Sequence, residues 1–117
     1  MTGFYAMAIA HFFADFVFQT EMMAKNKSSN NTWLLIHIIV YTITFGTIYY
    51  FLVDHVSLWS VVKWSALNGV AHFVIDYLTS RLSKYFWEKQ KTRAFFIVIG
   101  ADQTLHYLCF YYTISIV

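Results

Sequence analysis

Four long apolar runs occupy most of the 117-residue sequence and restrict the folds that it can adopt. The runs cover residues 3–20, 33–53, 58–82 and 94–117. A helix needs about 20 mostly apolar residues to cross the hydrocarbon core of a bilayer, and each run approaches or exceeds that length. The sequence therefore predicts one all-α domain over residues 1–117, a polytopic four-helix transmembrane bundle.

The composition excludes several classes of soluble protein. Hydrophobic residues make up 59% of the chain and charged residues only 12%, whereas about 25% of the residues in an ordinary soluble domain are charged. A net charge of +2 is too small for a protein that binds nucleic acid by neutralising phosphates, so no nucleic-acid partner is expected. Because Cys109 is the single cysteine, disulfide frameworks and cysteine-based zinc sites are excluded.

The distribution of lysine and arginine predicts how the helices are oriented. Seven of the eight basic residues follow the first or the third run, and only Lys63 lies near the opposite side. The positive-inside rule makes the basic side cytoplasmic, which places both termini outside. The basic, aromatic segment 81–93 favours contact with membrane lipids, with Arg81 and Lys84 holding an anionic headgroup. The alternative is that this segment is only a topology signal.

A short motif occurs twice, in the first run and in the third. His11–Phe16 and His72–Tyr77 both read His-Phe-x-x-Asp-aromatic. Both copies lie at a similar depth and run in the same direction, which is typical of parallel repeats in membrane proteins. The pattern predicts two pseudo-repeated helical hairpins.

Ionisable side chains recur at helical spacing within the apolar runs. Residues i and i+4 share one helix face, and three His–Asp pairs have this spacing, while the second run adds His37. An aspartate that faced lipid at this depth would cost about 2.5–3.5 kcal/mol. We therefore expect these side chains to converge in one buried layer, and the candidates are His11, Asp15, His37, His72, Asp76, Asp102 and His106.

Imidazole and carboxylate together form a metal-binding set. No lysine or arginine is predicted at the depth of the three aspartates, so the compensating charge would come from protonated histidines or from a divalent metal. Zinc fits the mixed nitrogen and oxygen donors most simply, and iron or manganese fits nearly as well. The seven residues could hold one ion or two ions bridged by carboxylate. The predicted outer hydrogen-bonding partners are Gln19, Asn68 and Gln103.

Three functions agree with such a layer. The first is a metal-dependent membrane hydrolase acting on a lipid-like or phosphorylated substrate, with Asp15, Asp76 or Asp102 serving as a catalytic base. The second is a channel or carrier for protons or divalent ions, for instance an effector that depolarises a membrane. The third is a small structural subunit that forms a homo-oligomer or joins another membrane protein.

Three segments resemble a known family. The segments His11–Thr20, Asn68–Tyr77 with Ser80–Leu82, and Asp102–His106, with His37 between the first two, resemble the domain-of-unknown-function family 3307 of small bacterial and phage membrane proteins. The resemblance implies a compact four-helix protein of the bacterial inner membrane. It also implies that the metal candidates, together with Gln19, Asn68 and Gln103, are the polar signature of the family.

Overall fold

The computed structural model describes residues 2–117 and contains helices but no strand in that range. This confirms the all-α prediction. Helix α1 is followed directly by a π-helical segment, and α5 ends in a short 3-10 turn at Ile114–Ile116. The elements in chain order are α1 (Gly3–Phe12), the π segment (Phe13–Val17), α2 (Glu21–Asn26), α3 (Asn31–Leu52), α4 (Leu58–Glu88) and α5 (Thr92–Thr113).

The polar connectors contain more helix than hydropathy indicates. The first connector forms the short helix α2, whose N-terminus is capped because Thr20 Oγ1 accepts a hydrogen bond from Met23 N–H at 3.3 Å. Asn30 caps α3 in the same way, accepting from Thr32 N–H at 2.9 Å. Helix α4 continues to Glu88 instead of ending at residue 82. Hydropathy marks where apolar surface ends, and a charged sequence of good helix formers can remain helical beyond that point.

The long helices form a bundle measuring 48 × 25 × 20 Å. Helix α1 packs on α3, α3 on α4, and α4 on α5. Toward the C-terminal end of α3, buried aromatic rings fill the centre of the bundle. Ring centroids lie 5.1 Å apart for Phe45 and Trp64, and 5.0 Å apart for Phe45 and Phe110. We call Tyr41, Phe45, Trp64 and Phe110 the aromatic plug.

Close packing of α3 on α4 gives a stability prediction. A Cβ added at Gly69 would overlap Oγ1 of Thr42 and lie 3.3 Å from its Cβ, whereas a Cβ at Gly100 would meet nothing within 4 Å. We expect Gly69→Ala to lower the free energy of unfolding by about 1–3 kcal/mol, because overpacking forces the helices apart. Gly100→Ala should be neutral or slightly stabilising. Thermal unfolding of both variants in detergent tests this, and equal stabilities would contradict the packing.

One described helix is long and apolar enough to cross a membrane, Asn31–Leu52. Residues Gly3–Val17 form a shorter apolar helix. Helices α4 and α5 have lower hydropathy because they carry most of the polar layer and the basic residues. The four-span arrangement and the hairpin repeat therefore stay predictions.

Candidate metal centre

Four parts of the fold bring the ionisable side chains into one place. The π segment supplies Asp15, α3 supplies His37, and α4 supplies His72 and Asp76. Helix α5 adds a further pair, Asp102 and His106. All six are buried. The predicted convergence of these residues is therefore observed.

Four donor atoms form the first ligand group: Asp15 Oδ1, His37 Nε2, His72 Nε2 and Asp76 Oδ2. The nitrogens of His37 and His72 lie 3.2 Å apart. Asp15 Oδ1 lies 3.2 Å from His37 Nε2 and 3.4 Å from His72 Nε2. Asp76 Oδ2 lies 3.4 Å from each of the same two nitrogens.

These spacings match those around a tetrahedral ion. Zinc bonds of about 2.0–2.2 Å to nitrogen and oxygen give a tetrahedron with edges of about 3.3–3.6 Å. Five of the six edges of the first ligand group measure 3.2–3.4 Å. The group is therefore nearly pre-formed for a four-coordinate ion.

An orphaned polar atom also favours a cation here. Asp15 Oδ1 is buried and accepts no hydrogen bond from residues 2–117. A buried carboxylate oxygen without a partner is costly, and a positive ion at the centre of the group would satisfy it. The same ion would bind the Nε2 lone pairs of His37 and His72, which without it lie within hydrogen-bonding distance of each other.

Packing, rather than hydrogen bonding, orients the imidazoles. The His72 ring stacks between Tyr41, at a centroid distance of 3.9 Å, and His106, at 4.1 Å. The Nδ1 atoms of His37 and His72 find no acceptor within the described chain. In many metal sites a carboxylate or carbonyl holds that nitrogen. Here the stacked rings and the helix backbones fix the direction of Nε2.

A second ligand group shares one residue with the first. Asp15, Asp102 and His106 offer ligand atoms that lie within 4.8 Å of one another. His106 Nε2 lies 3.5 Å from Asp102 Oδ2 and 3.3 Å from Asp76 Oδ1. The two groups are therefore neighbours in one layer.

His11 lies outside both ligand groups. Its Nδ1 is 3.0 Å from the Tyr41 hydroxyl, and its Nε2 is 2.9 Å from Gln103 Oε1. The amide nitrogen of Gln103 in turn donates to Asp102 Oδ2 at 2.9 Å and to Asp15 Oδ2 at 3.4 Å. With both ring nitrogens engaged, His11 positions Gln103, and Gln103 positions the two carboxylates.

Lys27 corrects the expectation that no lysine lies at the depth of the aspartates. Its Nζ donates to Asp76 Oδ2 at 2.9 Å. Burial lowers the pKa of the Lys27 ammonium, but the carboxylates of Asp76 and Asp15 outweigh burial and hold that pKa above its ordinary value. The position of Lys27 in a polar connector predicts only a topology signal. Helix α2 folds the connector back over the ends of the long helices. The positions of residues along the chain do not reveal this folding.

The other predicted site residues occupy several places. Gln19 lies at the edge of the layer, with a buried Oε1 that has no partner in residues 2–117. Asn68 lies apart from the His/Asp layer, donating to Trp64 O at 2.9 Å and Thr113 Oγ1 at 3.0 Å. Arg81 donates to Asn31 Oδ1 and its guanidinium lies 3.8 Å from the centroid of a tyrosine ring. The headgroup role of Arg81 stays a prediction.

A cleft of about 800 Å³ leads from the polar layer to the connector end of the bundle. Asp15, Asp102 and Gln103 lie at its inner end. Basic residues line it nearer the connectors, among them Lys27 and Lys84. Its apolar walls are formed by Phe16, Trp87, Phe95, Phe96 and Ile99. The cleft thus combines a carboxylate-lined floor, cationic groups and an aromatic wall.

Comparison with known proteins identifies a family. No curated protein and no solved structure matches the chain. The family model described as "Protein of unknown function (DUF3307)" matches residues 4–117, which is nearly the entire chain and includes every residue of the polar layer. The resemblance inferred from the His/Asp motifs is confirmed, and the chain belongs to the DUF3307 family.

Proposed function

We propose that the protein is a metal-dependent membrane hydrolase that acts on a lipid-like or phosphorylated substrate entering from the cytoplasmic leaflet. The observation that carries this proposal is the first ligand group, whose four donor atoms are spaced as around a tetrahedral ion. The cleft that reaches the adjoining carboxylates supplies room for a substrate.

The protein has apolar side chains on its surface and ionisable side chains inside, the reverse of a soluble protein. This distribution supports a membrane location. Large apolar side chains are more than 60% exposed on all four long helices, for example Phe4, Ile43, Val70 and Phe96. Histidine and aspartate are buried instead. In water such a surface would be an aggregation hazard, whereas a bilayer would cover it. We infer a multi-pass protein of the bacterial inner membrane, with the basic connectors in the cytoplasm and the termini outside.

Charge balance supports a divalent ion in the layer. Metal ligation requires neutral imidazoles, and in that state the three aspartates and the Lys27 ammonium leave two negative charges for the ion to compensate. Buried charge without compensation is strongly unfavourable. One divalent cation in the first ligand group would neutralise the layer. Zinc matches the donor set most simply, and iron or manganese is the alternative.

The protein residues have distinct roles in the proposed reaction. A divalent ion would lower the pKa of a bound water toward neutrality and polarise a phosphoryl or carbonyl oxygen. With a single ion in the first ligand group, Asp102 at the inner end of the cleft would be the residue that accepts a proton there. Gln103 holds the carboxylates of Asp102 and Asp15 in a fixed orientation. Lys84 and Lys27 line the cleft and would attract an anionic headgroup.

The aromatic plug disfavours an ion channel or carrier. Tyr41, Phe45, Trp64 and Phe110 are at most 1% exposed and close the bundle on the side of the layer opposite the cleft. Ions that reached the layer through the cleft would meet these tightly packed aromatic rings. A polar layer open at one end fits a substrate site better than a transmembrane pathway.

Two measurements on the purified protein test the proposal together. We expect elemental analysis to find at least one divalent metal ion per chain after dialysis. We also expect no proton or divalent-ion flux when the protein is reconstituted in liposomes. Metal retention without flux supports the enzyme, flux with weak metal binding supports the channel or carrier, and the absence of both supports a structural subunit.

A further inference from the structure

Two carboxylates in the layer each face two ligand groups. Asp76 directs Oδ2 toward His37 and His72, while its Oδ1 lies 3.3 Å from His106 Nε2. Asp15 directs Oδ1 toward the same two imidazoles, while its Oδ2 lies 3.4 Å from the Gln103 amide nitrogen. A carboxylate that presents one oxygen to each side is the geometry of a bridge between two metal ions.

We propose that the layer contains a second metal site, formed by Asp102 and His106 with the remaining oxygens of Asp15 and Asp76. This inference rests on the proposed function, because it assumes an ion in the first ligand group. The donors of Asp15, Asp102 and His106 already lie within 4.8 Å of one another. Asp102 Oδ2 and Asp76 Oδ1 lie 3.5 and 3.3 Å from His106 Nε2, close to the ligand spacings of the first group.

The two sites differ in access. Of the first ligand group only Asp15 lines the cleft, since His37, His72 and Asp76 do not. Asp102 and Gln103 lie at the cleft floor, so the second site opens toward it. A catalytic ion needs a coordination position that a substrate can approach, and Asp15 gives the first site one approach from the cleft. The second site has two ligands at the cleft, Asp15 and Asp102, and is therefore the more accessible of the two.

Charge balance determines what the second ion requires. The first ion neutralises the layer, so a second divalent ion would add two uncompensated positive charges in a buried site. An anion with two negative charges in the cleft would restore neutrality, and a phosphate monoester or inorganic phosphate has about that charge at neutral pH. The second ion and a phosphate group should therefore bind cooperatively. This assigns the substrate class as a terminal phosphate, carried either by a lipid or by a small molecule.

Equilibrium dialysis against manganese, followed by elemental analysis, tests the second site. We expect the wild-type protein in detergent to bind one ion per chain tightly without phosphate and two ions per chain with it. Inorganic phosphate and phosphatidic acid in mixed micelles serve as separate probes, since only phosphatidic acid has apolar chains that would contact the apolar wall of the cleft. If phosphatidic acid raises the affinity for the second ion more than inorganic phosphate does, the ligand is a lipid phosphate. An equal increase with both probes would identify the phosphate group alone as the ligand.

Matched variants separate the two sites. Asp102→Asn preserves the shape of the side chain and removes a donor that belongs only to the second site. We expect it to retain the first ion and to bind the second about 100-fold more weakly. His106→Asn should behave in the same way, and the exposed Asp54→Asn serves as the control. Helical circular dichroism would verify that each variant is folded.

The outcomes distinguish this inference from the proposed function. A wild-type protein that holds one ion and never a second, with either phosphate probe, would overturn the second site and leave the metal-dependent enzyme standing. Unchanged second-ion binding in both Asp102→Asn and His106→Asn would also overturn it. A protein that binds no divalent ion at all would overturn both.

Discussion

The variant His72→Ala should bind a divalent ion at least about 100-fold more weakly than the wild-type protein. His72 contributes one of four donor atoms, and even residues that merely orient ligands are worth about 10–100-fold in metal affinity. Its Nε2 lies within 3.4 Å of the other three donors. Isothermal titration with zinc in detergent measures this loss, and hydrolytic activity on a phosphorylated substrate should fall with it.

The matched control for His72→Ala is His55→Ala. His55 is exposed in the turn between α3 and α4, far along the helices from the layer. Its removal should change zinc affinity by less than about twofold, because a solvated imidazole shares no ligand with the site. Equal losses in the two variants, or no loss in either, would show that the buried imidazoles do not hold the ion.

Replacement of Lys27 by methionine should raise the metal affinity, whereas His72→Ala lowers it. The ammonium occupies Asp76 Oδ2 at 2.9 Å and repels any cation placed beside it. Two like charges a few ångströms apart near a protein surface interact with several kcal/mol, so we expect Lys27→Met to bind the ion at least about tenfold more tightly. The metal-free variant should instead be less stable than the metal-free wild type, because Asp76 loses its cation.

The control for Lys27→Met is Lys25→Met, two residues earlier and within α2. The Lys25 side chain is 72% exposed and pairs with Glu21 at 3.5 Å, an arrangement that contributes little to stability. Titration and thermal unfolding should give nearly wild-type values for Lys25→Met. Weaker metal binding in Lys27→Met would contradict the account, since it would mean that the ammonium supports the ion rather than competing with it.

Much of the fold and of the polar layer follows from sequence periodicity. The i and i+4 spacing of the pairs His72–Asp76 and Asp102–His106, combined with the cost of charge in hydrocarbon, predicts that these side chains face inward. Helices α3, α4 and α5 follow from the apolar runs, whereas the first run, predicted as one helix over residues 3–20, forms the shorter α1 and the π segment. Both predictions use only local spacing and a solvation cost, which is why one sequence is sufficient for them.

The remaining details depend on contacts between distant segments. His11 has the same spacing to Asp15 as His72 has to Asp76, yet its ring nitrogens bind Tyr41 and Gln103. The π segment places the Asp15 carboxylate between the imidazoles of α3 and α4, and no local motif predicts that turn. Lys27 reaches the layer because the connector folds back, a property of the tertiary structure. Helix periodicity assigns a residue to a face but does not select its partner.

Anomalous diffraction from crystals of the zinc-loaded protein would locate the ion within the bundle. We expect a peak bonded at about 2.0–2.2 Å to Nε2 of His37 and His72 and to carboxylate oxygens of Asp15 and Asp76. Zinc-loaded crystals with no peak in this layer, or with zinc only at exposed residues such as His55, would contradict this expectation.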